Sequence, residues 1–193
     1  MLKSLDARLD EMERMVRTPT FRANKGLGNE VGYYIFDYPA DKELTVRERI
    51  AYMQGKNNIN TDGFQLIVFD LYDIVIDILE HEKFLEQCFA FEKQKGMDRI
   101  VTAISNLIQV NDDESLIVNY IKENTPLNAV VFLTGIGKCY PFLRSHKALN
   151  NLHQTIDHVP VVMFYPGTYD GQELVLFSII KDDNYYRAFR LVD

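Results

Sequence analysis

The chain has 193 residues, of which 47% are hydrophobic and 25% are charged, and its formal net charge is -7. This length and composition are typical of one globular domain with its own apolar core, and they exclude an intrinsically disordered chain. A negative net charge repels phosphate backbones, so we do not expect nucleic acid to be the main ligand.

The N-terminal third predicts a helix followed by a strand. Apolar side chains recur at steps of four, three and four, as on one face of a helix, at Leu5, Leu9, Met12 and Val16. This helix should end near the Thr18-Pro19 step, and the glycine- and asparagine-rich segment FRANKGLGNEVG follows it. The β-forming run from Tyr33 to Tyr38, closed by Pro39, is the first predicted strand.

The middle of the chain predicts mostly helix. A helix over 43–54 precedes an apolar run over 65–73, which is the second predicted strand. One long helix should then extend from Asp73 to Lys95 and stop at Gly96. Further helices are predicted over 97–109 and 113–124. The stretch 73–124 is therefore interpreted as a helical insertion.

The C-terminal part returns to strands. Two apolar, β-branched runs over 128–134 and 159–167 are typical of parallel strands that are buried on both faces, with a helix over 141–152 between them. Two more strands, over 173–180 and 185–192, should form an antiparallel hairpin through the loop 181–184. The order of elements predicts a single α/β domain over 1–193, a three-layer α/β/α sandwich of Rossmann-like or RecA-like type.

The sequence shows no membrane segment or targeting signal. No run approaches the ~18 apolar residues that a membrane span needs, so we expect a cytoplasmic protein. The two cysteines, Cys88 and Cys139, are not in a CxxC spacing, and we expect both to be reduced thiols.

One loop has some of the features of a phosphate site. Ligands of such folds bind beyond the carboxyl ends of the strands, and the loop after Leu133 brings together glycines, a lysine and polar side chains: Gly135, Gly137, Lys138, Arg144, Ser145 and His146. Phe132 replaces the first glycine of a P-loop, and Cys139 replaces its Mg²⁺-binding hydroxyl. Phosphate binding is thus an alternative to an ordinary strand-to-helix turn.

Another set of residues has the composition of a protein interface. Aromatic and arginine side chains beside rigid turns are enriched in such interfaces. The candidates are Gly28, Asn29, Glu30, Tyr165, Pro166, Gly167, Tyr169, Asp170, Tyr185, Tyr186, Arg187 and Arg190. Ordinary edge-strand packing is the competing interpretation of the C-terminal group.

We predict no catalytic residues, no metal site and no cofactor. Ser145 is not in a G-x-S-x-G elbow, and the spacings of His146, His153 and His158 do not match a helical zinc site. A hydrolytic site could still form if the carboxylates near the ends of the first two strands converged, namely Asp37, Asp70 and Asp73. Helix capping is the competing role for these aspartates.

Four blocks of the sequence resemble the BrxB family of BREX bacteriophage-exclusion loci. In chain order they read GLGNEVGYYIFDYP, LTGIGKCYPFLRSHKALNNL, VPVVMFYPGTYDGQELVLF and DDNYYRAFRLV. The resemblance covers nearly the whole chain and is weakest over residues 80–124.

The resemblance implies a component of a bacterial antiphage system. Within such a system, it implies an adaptor that binds another BREX protein, above all the phosphatase-like PglZ protein. It supplies no catalytic residues.

Overall fold

The computed structural model describes residues 3–23, 32–108, 115–143, 151–153, 155–182 and 188–193. Its helices are α1 (Leu5–Val16), α2 (Pro19–Arg22), α3 (Glu43–Lys56), α4 (Ile59–Asp62), α5 (Leu71–His81), α6 (Leu85–Lys95), α7 (Met97–Leu107), α8 (Leu116–Glu123) and α9 (Ile136–Cys139). Its strands are β1 (Tyr33–Tyr38), β2 (Gln65–Asp70), β3 (Ala129–Thr134), β4 (Val161–Tyr169), β5 (Leu174–Leu176), β6 (Ile180–Asp182) and β7 (Phe189–Arg190).

The strands form one mostly parallel sheet in the order β2-β3-β4-β1-β7. All neighbours along this path pair in parallel. Strand β4 continues beyond the end of β1, and its last residues pair in antiparallel fashion with β5, which in turn pairs with β6. The α/β fold class predicted from the sequence is confirmed.

Both faces of the sheet are covered by helices because its strands are apolar on both sides. On β3, for example, Val131 and Leu133 face one core, and Val130 and Phe132 face the other. The first core is closed by helices α5 to α9, and the second by α1, α2 and α3. This arrangement gives the three layers expected from fully buried parallel strands.

The predicted long helix from Asp73 to Lys95 is wrong, because it divides into α5 and α6. The Phe84 N–H donates to the Leu79 carbonyl at 2.8 Å and the Lys83 N–H to the Glu80 carbonyl at 3.0 Å. These two bonds form a Schellman motif, which ends α5 with Lys83 in the left-handed region at φ 56°. A lysine gives no sequence signal for this conformation.

The antiparallel hairpin lies earlier than predicted. Its strands are β5 and β6, and its turn is formed by residues 177–179. The predicted loop at 181–184 begins inside β6, and β7 pairs in parallel with β1. Residues 183–187 lie outside the described residues, as does most of the predicted helix over 141–152.

None of the helices in the described ranges has both the length and the apolar character that a membrane crossing requires. Both cysteines are free and buried. Burial raises the pKa of the Cys139 thiol to about 12.

Lys83→Gly should stabilise the protein. Glycine adopts positive φ without the steric cost of a Cβ, which is about 1–2 kcal/mol, although it loses more backbone entropy on folding. We expect the free energy of unfolding in urea to rise by about 0.5–1 kcal/mol. Lys83→Ala keeps the Cβ and is the matched control. An equal gain in both variants would contradict the explanation.

Candidate functional site

The carboxyl edge of the sheet is the place where this fold normally binds a ligand. The connection after β1 leads to α3, which packs on one face, whereas the connections after β2 and β3 pack on the other. The connections after β3 and β1, on either side of β4, thus diverge, and α/β proteins bind ligands in crevices that form where connections diverge in this way. We therefore take this edge as the candidate site.

In the glycine turn after β3, a carboxylate of the chain itself occupies the position where an external anion would sit. Lys138 Nζ lies 2.5 Å from Asp70 Oδ2 and 3.5 Å from Asp73 Oδ1. Asp70 also caps α5 by accepting the Tyr72 N–H at 3.0 Å. The lysine that the phosphate hypothesis needs is thus engaged by two carboxylates.

Gly135 is required by this close approach of Asp70. Its φ is +77°, and a Cβ at this position would lie 2.1 Å from Asp70 Oδ1. The glycine that suggested a phosphate cradle therefore makes room for an internal carboxylate.

Gly137 lies under an aromatic side chain. A Cβ there would lie 2.8 Å from the ring of Phe177, whose N–H donates to the Pro166 carbonyl at 2.8 Å. The phosphate hypothesis also named Arg144, Ser145 and His146, which lie outside the described residues. The described residues of the phosphate hypothesis form a turn in which two other side chains of the protein, those of Asp70 and Phe177, lie against the glycines.

A partly buried ion cluster lies at the end of β1, and we call it the Asp37 cluster. The Asp37 carboxylate accepts bonds from Arg8 Nη2 at 2.6 Å, from Arg190 Nη2 at 3.2 Å and from the Tyr169 N–H at 3.1 Å. Arg8 also donates to the Asp37 carbonyl at 2.8 Å, and its guanidinium lies 4.9 Å from the centre of the Phe36 ring. The cluster thereby joins α1, β1, β4 and β7.

A cavity of about 510 Å³ opens beside the Asp37 cluster. Its wall includes the turn after β5 and the start of α1, through Ser178, Lys3 and Leu5. A smaller cavity of about 210 Å³ is lined by Phe177 of the same turn and by Lys138. The β5–β6 turn therefore contributes to the wall of both cavities at the carboxyl edge.

The aspartates proposed for hydrolysis do not converge. Asp37 ends β1 and Asp70 ends β2, and two strands, β4 and β3, lie between them. At ~4.8 Å per strand spacing, the two positions are roughly 14 Å apart. Asp70 caps a helix, and the described residues include no group of three or more potential metal ligands. The hypothesis of a site built on Asp37, Asp70 and Asp73 is wrong for this reason.

Two of the predicted interface tyrosines are inside the protein. Tyr165 and Tyr169 are fully buried, and the Tyr169 hydroxyl donates to the Ala188 carbonyl at 2.7 Å. Pro166 and Gly167 of β4 are also buried, and Gly167 pairs with Leu176 of β5. All four residues are enclosed by the rest of the fold, so they do not present side chains to a partner.

The remaining predicted interface residues fall into two groups. Asp170 and Arg190 are exposed. Asp170 accepts the N–H groups of Glu173 and Gln172, and these bonds lower the pKa of its carboxyl. The other residues lie outside the described ranges: Gly28, Asn29, Glu30, Tyr185, Tyr186 and Arg187.

Sequence reasoning missed the residues at the centre of this edge. Phe177, Ser178 and Ile179 were assigned to the interior of a strand, yet they form the turn, and Phe177 and Ser178 have positive φ. Arg8 was not singled out, because no local pattern pairs its basic side chain with a carboxylate 29 residues away.

The comparisons with known proteins agree with one another. A family model described as "BREX protein BrxB" matches residues 67–191. A Bacillus cereus protein named BREX protein BrxB is 48% identical over 192 residues, covering 100% of both chains. An Escherichia coli protein of the same name is 33% identical over 190 residues, covering 97% of this chain and 92% of its own. No solved structure matches.

Asp37→Asn should destabilise the fold strongly. The carboxylate neutralises two guanidiniums, and breaking a buried ion pair leaves an uncompensated charge at a cost of about 3–5 kcal/mol. Urea unfolding should therefore show a loss of about 3 kcal/mol. Asp41→Asn is the control, because that side chain is 71% exposed and should change stability by less than about 1 kcal/mol. Similar losses in the two variants would refute the importance of the cluster.

Gly135→Ala should cost more than Gly63→Ala. Both glycines are in the left-handed region, at φ 77° and ψ 9° for Gly135 and at φ 74° and ψ 13° for Gly63, so the conformational penalty is shared. At Gly135 the new Cβ would lie 2.1 Å from Asp70, whereas at Gly63 the nearest atom is the flexible end of Arg22 at 3.2 Å. We expect an additional loss of about 1–3 kcal/mol in urea unfolding for Gly135→Ala. Equal losses would show that Asp70 can move aside freely.

Proposed function

Since the chain belongs to the BrxB family of BREX proteins, we propose that it is a non-catalytic adaptor or scaffold that binds another BREX protein. We infer further that PglZ is the principal partner. The setting is bacterial antiphage defence, and the two free cysteines suit the reducing cytoplasm, where we expect the adaptor to act.

One observation carries the non-catalytic part of the proposal. The ligand position of the fold holds groups of the chain itself: Asp70 lies against Gly135 and Lys138, and Phe177 lies against Gly137. A nucleotide phosphate at this turn would have to displace a carboxylate from its lysine and helix cap. Phosphate binding, which was the alternative from the sequence, is thereby disfavoured relative to partner binding.

The adaptor proposal predicts co-purification. A tagged chain, isolated from cells that express the whole set of BREX proteins, should retain PglZ in near-stoichiometric amount. The measurement is quantitative mass spectrometry of the eluate, and the control is the same tag on Asp37→Asn, which should retain less because its fold is weakened. If the native chain retained no BREX protein, the adaptor role would be abandoned.

A thermal-shift measurement on the purified chain tests the alternative function, nucleotide or phosphate binding. A nucleotide at ~100 times its dissociation constant stabilises a binding fold by about 2.7 kcal/mol. We expect no shift with ATP or GTP in the presence of Mg²⁺. A shift that disappears in Lys138→Met would instead establish a regulatory phosphate site.

A further inference from the structure

We propose that the β5–β6 turn is the docking element of the adaptor, and that Ile179 inserts into an apolar pocket on the BREX partner. The turn surface comprises Phe177, Ser178 and Ile179. The inference rests on the proposed function. It adds which surface of this chain binds the partner, and that the matching surface of the partner is apolar.

Ile179 is more exposed than any other large apolar side chain in the described residues. It is 82% exposed at the end of the hairpin, and Phe177 beside it is 36% exposed. A single exposed aliphatic residue is ordinary. This one differs because it belongs to a turn at the carboxyl edge, where the fold normally receives a ligand, and the other two residues of that turn line cavities, Ser178 the larger and Phe177 the smaller.

The backbone of the turn is strained. The Ile179 N–H donates to the Leu176 carbonyl at 3.0 Å, and φ is 54° at Phe177 and 59° at Ser178. These values describe a type I′ turn, which favours Asn-Gly because a Cβ at positive φ costs about 1–2 kcal/mol. Strained residues of this kind concentrate at functional sites. Here the strained turn presents Ile179 outward.

The turn is also anchored, so it can bind without being ordered first. The Phe177 N–H donates to the Pro166 carbonyl, and the Phe177 ring lies against Gly137. Such preorganisation favours affinity, because less conformational entropy is lost when the partner binds.

The charges around the turn favour an apolar protein partner over nucleic acid. Five cationic side chains line the two cavities, and each has a carboxylate within 3.5 Å: Lys3 with Glu11, Arg8 and Arg190 with Asp37, Arg47 with Glu43, and Lys138 with Asp70. Arg8 and Arg190 share one carboxylate, but Lys138 also has Asp73 at 3.5 Å, so five carboxylates face these five cations. Because the charges balance within the chain, the surface offers little attraction for phosphates. The complement is therefore an apolar pocket, and binding should persist at high salt.

The test compares Ile179→Asp with Leu127→Asp in co-purification with the full set of BREX proteins. Leu127 is the matched control, because it is 80% exposed and precedes β3 at the opposite edge of the sheet. Ile179→Asp should reduce the retained BREX partner at least about tenfold, as for an interface anchor. Leu127→Asp should retain as much as the native chain, in both 0.1 M and 0.5 M salt (about a twofold change in Debye length).

Stability is measured in the same variants. Urea unfolding midpoints should coincide, because both side chains are exposed, and Ile179→Ser serves as the second variant if the aspartate disturbs the turn. Normal retention by a folded Ile179→Asp or Ile179→Ser chain overturns the docking surface and leaves the adaptor proposal intact. If the native chain retains no BREX protein, both the docking surface and the adaptor proposal are overturned.

The same variants also test two other binders of the turn surface, a second copy of this chain and nucleic acid. If light scattering shows a native dimer that Ile179→Asp dissociates, the turn binds a second copy, and the inference is wrong. If a labelled DNA duplex binds the native chain and is released by Ile179→Asp or by 0.5 M salt, the surface is a nucleic-acid site, and the inference is again wrong.

Discussion

The carboxylate of Asp37 is the point on which the organisation of this fold depends. Its two oxygens accept bonds from the first helix, from the last strand and from the backbone of β4. These elements come from both ends of the chain, and β1 lies between β4 and β7 in the sheet. A carboxylate so placed stabilises the fold only while all its donors are present, because a buried charge without partners is costly.

The same principle operates at the neighbouring strand ends. Asp70 pairs with Lys138 and caps α5, so an acidic side chain again satisfies groups that a ligand could have satisfied. The carboxyl edge thus contains many charged groups, but they form ion pairs with one another. What the edge presents outward is an apolar turn, in which Ile179 is exposed.

The sequence predicted the elements whose signal is local. Strands β1, β3 and β4 are apolar on both faces, and α1 has one apolar stripe, so composition and period were sufficient. The end of α5 and the β5–β6 turn were missed because Lys83, Phe177 and Ser178 take conformations that their residue types disfavour.

The candidate site was less predictable than the fold because it depends on distant pairs. Arg190 contacts Asp37 across 153 positions of sequence, and Tyr169 is buried in the first core, where it pairs with Leu174 and its hydroxyl donates to the Ala188 carbonyl. Alternation within one strand could not show that a tyrosine at its end is enclosed by residues that come later in the chain.

The position of β1 in the sheet also affects how the chain is made. This strand is synthesised early, yet both of its neighbours, β4 and β7, come from the last part of the sequence. At ribosomal rates of ~5–20 residues per second, β1 waits on the order of ten seconds for β4. During that time its apolar side chains have no sheet to join, and nascent chains of this protein should be frequent clients of ribosome-associated chaperones.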